Sequence, residues 1–268
     1  MTNVIQRTLT GAVYTALIIS SLVIHPLFFA GITLILNFTG LLELQKIGRR
    51  LQTDAGIHWV FINSILFALS VILIYLQTTV RYFEPLLLLF ILLLILPIYE
   101  KKADPFSTLQ FSVFGSLYIS IPLIIINLIH KISLTMGIPF TLAMFIIIWT
   151  NDTFAYLTGM AIGKHRLFEK LSPKKSWEGF FGGLLMGILA AVIFDYFFPE
   201  PGIIFWIAYA IIACIASVFG DFVESLLKRN ADVKDSGRLL PGHGGILDRI
   251  DSLLLAGPAI YFLLVLLY

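Results

Sequence analysis

Between residues 217 and 252 the chain reads SVFGDFVESLLKRNADVKDSGRLLPGHGGILDRIDS, with six carboxylates, five Lys/Arg residues and one histidine around a glycine-rich turn. Strongly apolar segments flank it on both sides. Charge this dense where an apolar helix ends is costly, which marks a site rather than decoration. Carboxylates hold hard divalent metals, and cations with backbone N–H groups hold phosphates. The pattern points to metal-assisted chemistry on phosphates at a membrane surface.

Asp221, Glu224, Ser225 and Lys228 follow helical spacing and form one polar stripe. Asp221 is seven residues from Lys228, so it lies about 10 Å deeper along the helix and needs a partner or a metal. An ion pair with Lys228 or with another helix would serve Asp221 alone. Downstream, Pro241-Gly242-His243-Gly244-Gly245 precedes the next helix. Its glycines permit positive φ and close backbone approach, so Gly244 and Gly245 can aim N–H groups at an anion. Asp248 and Asp251 then share a helix face. Helix capping would explain one of these acids, but not both together with Asp221 and the neighbouring Lys234, Asp235, Arg238 and Arg249. His243 serves equally as a phosphate donor or as a turn-filling residue. With no second His or Cys at ligand spacing, it does not signal zinc.

A second constellation lies upstream. Asn151-Asp152 falls inside an apolar span, and Asp152, Tyr156, Gly159 and Gly163 share a face. The loop after it ends Ser172-Pro173-Lys174-Lys175-Ser176-Trp177-Glu178-Gly179. Lys174 and Lys175 could simply be basic residues on the cytoplasmic side, but the nearby acids Asp152 and Glu178 favour a functional role. Gly179, Gly183 and Gly187 recur every fourth residue, a signal for close helix packing. Gly159 to Lys164 lacks the spacing of a P-loop, and His165 stands where that loop needs Ser or Thr.

These residues must be carried by membrane helices. The 268 residues are 59% hydrophobic and only 13% charged, against about 25% charged in soluble domains. The reading is an all-α, polytopic integral membrane protein of about nine transmembrane helices. Spans are expected near 9–24, 26–45, 57–77, 84–99, 107–130, 138–163, 178–198, 203–228 and 250–268. His25-Pro26 is either a tight turn between the first two or a kink in one helix. Arg7 before the first span resembles a signal peptide, but no small-residue cleavage site follows, so the span is read as retained. Nine spans put 16 of the 18 Lys/Arg residues on one side, leaving only Arg81 and Lys131 on the other. The basic side, with the N-terminus and the charged segment, is therefore cytoplasmic in a cell membrane, and the C-terminus lies outside. Residues 1–105 read as an N-terminal scaffold and 106–268 as a catalytic half. Cys214 is the only cysteine, which excludes an intrachain disulfide. No basic groove for nucleic acid is visible.

The run from Ser225 through Lys228-Arg229, Lys234-Asp235, Gly237 and Leu240-Pro241-Gly242-His243-Gly244-Gly245-Ile246 to Asp248-Arg249-Ile250-Asp251 resembles the signature of the phosphatidate cytidylyltransferase (CDP-diacylglycerol synthase) family. Asn151-Asp152, Ala155-Tyr156, Gly159, Gly163 and the Ser172–Gly179 run are similar to that family too. The motifs cover about residues 149–252, and the N-terminal third carries little specific signal beyond Arg7-Thr8-Leu9-Thr10-Gly11. The resemblance implies that CTP and phosphatidic acid give CDP-diacylglycerol and pyrophosphate with Mg²⁺, with a second metal ion left open. It implies Asp221, Asp248 and Asp251 as metal ligands, with Asp152 as a further ligand or a supporting acid. Lys174, Lys175, Lys228, Arg229, Lys234, Arg238 and Arg249 become phosphate contacts, with Ser225, His243, Gly244 and Gly245 beside them. The lipid bilayer is a partner, nucleic acid is not, and a homodimer is compatible. The lipid phosphate is already an anion, so no serine or cysteine nucleophile is required. Two alternatives are a CTP-dependent polyprenol kinase and an ion-coupled transporter. Clustering of the charge in one half disfavours the transporter.

Overall fold

The computed structural model describes residues 2–51, 56–76, 91, 105–237 and 244–267. Eight helices account for nearly all of them. They are α1 (Thr2–Ile24), α2 (Pro26–Arg50), α3 (Ile57–Leu76), α4, α5 (Phe140–Ile162), α6 (Trp177–Phe197), α7 (Ile203–Asn230) and α8 (Leu247–Leu267). Helix α4 joins Pro105–Gly115 and Ile121–Met136 through a π-helical turn at Ser116–Ser120. Among the described residues seven helices, α2 to α8, are long and apolar enough to cross a membrane, and α1 holds a shorter apolar stretch, Thr10–Ile24. The chain is a multi-pass membrane protein. The expected span 84–99 lies outside the described residues except for residue 91.

The His25-Pro26 ambiguity resolves as a helix boundary. His25 is extended, its ring nitrogen accepts the Leu27 N–H at 3.2 Å, and Pro26 takes the first helical position of α2. Proline has no N–H to lose there, and its fixed φ already suits a helix.

Two compact units emerge, one made of residues 1–131 and 230–250, the other of 132–229 and 251–268. In the first, buried polar side chains satisfy one another at the π-helical turn. Ser120 Oγ contacts Asn37 Oδ1 and Asn63 Oδ1, both at 2.6 Å, and Asn63 Nδ2 donates to Ser116 Oγ at 2.5 Å. Polar groups among apolar helices need such partners because neither lipid nor core supplies them.

In the second unit α5 packs on α6 through the glycine row. A Cβ on Gly179 would stand 2.6 Å from the Ala155 carbonyl, and one on Gly183 2.6 Å from the Asn151 carbonyl. One on Gly187 would stand 2.6 Å from Cys214 Sγ. The opposite face of α6 exposes Phe181, Leu185, Leu189 and Ile193, a stripe suited to lipid. Phe140, Phe194, Phe205, Trp206 and Tyr209 form an aromatic cluster at one end, where Tyr209 donates to the Phe140 carbonyl at 2.6 Å.

The loop after α5 contains an element with no alternating pattern to announce it. Strands β1 (Arg166–Phe168) and β2 (Ser172–Ser176) pair antiparallel as a short hairpin. Its base is tied by His165: the ring Nδ1 meets Glu178 Oε1 at 2.6 Å, and its carbonyl accepts the Trp177 N–H at 2.9 Å. Ser176 caps α6 by accepting the Gly179 N–H at 3.1 Å. Glu178 therefore holds the hairpin in place.

Candidate active site

Helices α7 and α8 approach closely because of Gly220. A Cβ there would run into the Asp251 carbonyl oxygen and stand 3.1 Å from Ser252 Cα. The next residue of α7, Asp221, is thereby brought beside Asp251, and Glu224 follows one turn later. Ligand oxygens of Asp221, Glu224 and Asp251 all lie within 4.8 Å of one another. Glu224 and Asp251 are buried. Asp251 is also oriented locally, its Oδ1 accepting the Ser252 N–H at 2.8 Å.

Two lysines face this cluster. Lys228 Nζ meets Glu224 Oε2 at 2.5 Å, with the two side chains 13% and 1% exposed. Lys175, delivered by β2, pairs with Asp221 Oδ2 and lies over the Phe222 ring, 5.0 Å from its centroid. Phe222 in turn touches Phe168 of β1 and Phe219, so the aromatic contacts anchor the hairpin that presents Lys175. Asp152, on α5, has its Oδ1 accepting from Asn151 Nδ2 at 3.3 Å. Asn151 also reaches Ser217 Oγ of α7 at 3.4 Å.

Three carboxylates with two ammonium groups beside them make a cluster of hard oxygen donors in which acids outnumber amines. That donor set fits a divalent cation such as Mg²⁺: the oxygens converge from two helices, and neighbouring amines could turn to an incoming phosphate. The cluster can hold a metal ion. Glu224 belongs to the polar stripe seen in the sequence, but the three-dimensional grouping is what adds it to the ligand set.

The other expected site residues fall elsewhere. Arg229 and Lys174 are exposed, and Ser225 is half-buried near Lys228 on α7. Lys234 and Arg249 are exposed on the segment that precedes and opens α8. Arg238 and His243 lie outside the described residues. Asp248, in the first unit, makes a local set of contacts. Its Oδ2 accepts from Gly245 N at 2.8 Å and from Ser236 N and Oγ, both at 3.1 Å. The next two N–H groups of the turn, from Ile246 and Leu247, go to the two oxygens of Glu43 at 3.1 and 2.9 Å. Of the two glycine N–H groups expected to face a phosphate, that of Gly245 is directed at Asp248, and the two N–H groups after it are directed at Glu43. Glu43 is absent from any local motif. Its one sequence signal was an acid near the end of an apolar helix, and its hydroxyl partner Ser236 stands 193 residues away.

A sequence model of the cytidylyltransferase family matches residues 5–267. A phosphatidate cytidylyltransferase of Bacillus subtilis is 32% identical over 270 residues, covering 99% of each chain. Another, from Staphylococcus haemolyticus, is 32% identical over 97% of this chain and 98% of its own. One from Haemophilus influenzae is 45% identical over 127 residues, 46% of this chain and 44% of its own.

Proposed function

The chain belongs to the cytidylyltransferase family, a nucleotidyltransferase by that membership, and from this premise we propose that it transfers the cytidylyl group of CTP to phosphatidic acid. A phosphate oxygen of the lipid forms a bond to the α-phosphorus of CTP while the bond from that phosphorus to the pyrophosphate oxygen breaks. CDP-diacylglycerol and pyrophosphate result, and no proton has to be removed from the nucleophile. The observation that carries the reading is the convergence of Asp221, Glu224 and Asp251 within 4.8 Å, with Lys175 and Lys228 against them.

Asp221, Glu224 and Asp251 are the ligands for Mg²⁺, with Asp152 in support, and Asp248 acts through the turn it organises. Held there, Mg²⁺ would neutralise phosphate charge and polarise the phosphorus–oxygen bonds. Lys175 and Lys228 keep the acids paired and offer ammonium donors to the phosphates as these arrive. Lys174, Arg229, Lys234, Arg238 and Arg249 supply further positive charge for two polyanions that must be aligned in line. The site opens to the cytoplasm, where CTP is found, a reading that the Lys/Arg distribution supports.

The test uses purified protein in mixed micelles of detergent and phosphatidic acid with CTP and Mg²⁺. Expected products are CDP-diacylglycerol and pyrophosphate in equal amounts, strongly reduced in Asp221→Asn, Glu224→Gln and Asp251→Asn. Release of CDP with phosphorylation of a lipid alcohol would replace the reading with a lipid kinase. No CTP consumption with phosphatidic acid would overturn it outright.

A further inference from the structure

We propose that Glu43, from α2 in the N-terminal half of the chain, is a positioning residue for the transfer reaction. Its carboxylate is the anion that the glycine turn binds, and it fixes where α8 begins. The inference rests on the functional reading above only for its kinetic arm.

The argument starts with the N–H groups. The first N–H groups of a helix have no partner within it and attract an anion. Here the Ile246 and Leu247 N–H groups and the Ser236 hydroxyl converge on Glu43, at 3.1, 2.9 and 2.8 Å. Glu43 as a whole is only 4% exposed. Ser236 Oγ also reaches Asp248 Oδ2 at 3.1 Å, so one hydroxyl links the two acids.

The glycines agree. A Cβ on Gly237 would run into Glu43 Oε1 and stand 2.6 Å from its Cδ. One on Gly245 would run into Ser236 Oγ and Glu43 Oε2. One on Gly244, which has φ +84°, would stand 2.6 Å from Asp248 Oδ2. Three glycines are thus required by the closeness of internal carboxylates. The helix that starts on Glu43 carries Asp251 one turn further on.

Glutamine at this position keeps the size but has a single acceptor oxygen, and its NH₂ would face N–H donors. Aspartate keeps the charge and draws the carboxylate back by about 1.5 Å, one C–C bond. The experiment compares wild type, Glu43→Gln, Glu43→Asp, Gly237→Ala and the pair Gly237→Ala with Glu43→Asp. It reads membrane yield, kcat, the KM for CTP, and deuterium exchange of the amides in 244–248.

Glu43→Gln is expected at normal yield with kcat lower by about tenfold or more and the CTP KM within about threefold. The 245–247 amides should exchange about tenfold faster while the middle of α8 is unchanged. Gly237→Ala should behave alike, and adding Glu43→Asp should recover part of its loss because the carboxylate retreats from the new methyl group. A Glu43→Gln kcat within about twofold of wild type, or unchanged turn amides, overturns the proposal. If Glu43→Gln lowers yield, the Gly237 pair decides, and simple additivity of the two losses counts against it. Absent turnover in wild type would refute the functional reading, while the exchange measurement would still decide the role of Glu43.

Discussion

Lys228→Met tests the electrostatic account of the cluster. Lys228 Nζ lies 2.5 Å from Glu224 Oε2, and both side chains are largely withdrawn from solvent, 13% and 1% exposed. Methionine preserves much of the aliphatic volume and removes the charge. Glu224 is then left facing Asp221 and Asp251, with oxygens within 4.8 Å. Two unit charges at that separation repel by about 3.5 kcal/mol at an effective dielectric constant of about 20. Removing one member of a buried ion pair costs about 3–5 kcal/mol, the same order. For a chain of this size that corresponds to a fall in melting temperature of about 6–20 °C. The assay is thermal unfolding of the detergent-solubilised protein with and without saturating Mg²⁺. The deficit should be largest without Mg²⁺ and shrink with it, because a divalent ion replaces the missing positive charge. It should also shrink in Lys228→Met with Glu224→Gln, where both members of the pair are gone. Wild-type melting without Mg²⁺ would refute the reasoning, as would a deficit that neither Mg²⁺ nor the second substitution reduces.

Gly183→Ala places a methyl group 2.6 Å from the Asn151 carbonyl oxygen. It should destabilise by about 1–3 kcal/mol through overpacking and lower the folded yield in membranes, read by detergent solubility. Unchanged yield and melting would remove the glycine row from the packing argument. Lys174→Ala with Lys175→Ala should raise the KM for CTP or lower kcat by about tenfold, mostly through Lys175, which reaches Asp221 while Lys174 is exposed. Wild-type kinetics in the double variant would return the pair to a role in membrane orientation alone. The distribution of Lys and Arg predicts a C-terminus outside the cytoplasm. A C-terminal reporter active only in the cytoplasm would overturn that orientation.

What the sequence determined by itself was whatever depends on near neighbours along the chain. Apolar runs of membrane-spanning length are a local property, so the spans at 57–77, 138–163, 178–198 and 203–228 agree closely with α3, α5, α6 and α7. Helical spacing placed Asp221, Glu224 and Lys228 on one stripe, and the four-residue recurrence of glycine marked the face of α6 that meets α5. The density of charge in 217–252 marked the stretch that holds the three clustered acids. The tertiary structure decided which of those charges meet. Gly220 lets α7 approach α8 closely enough to join Asp221 to Asp251, and it carries no motif that would reveal this. A hairpin with strands of three and five residues, too short for a readable alternation, brings Lys175 to Asp221. Asp248 shares a helix with Asp251 but is taken up by Ser236 and Gly245, because a carboxylate at the start of a helix bonds the N–H groups nearest to it. Glu43 is the extreme case: its role depends on backbone N–H groups about 200 residues away. Every residue type except proline carries a backbone N–H, so no residue pattern announces that pairing.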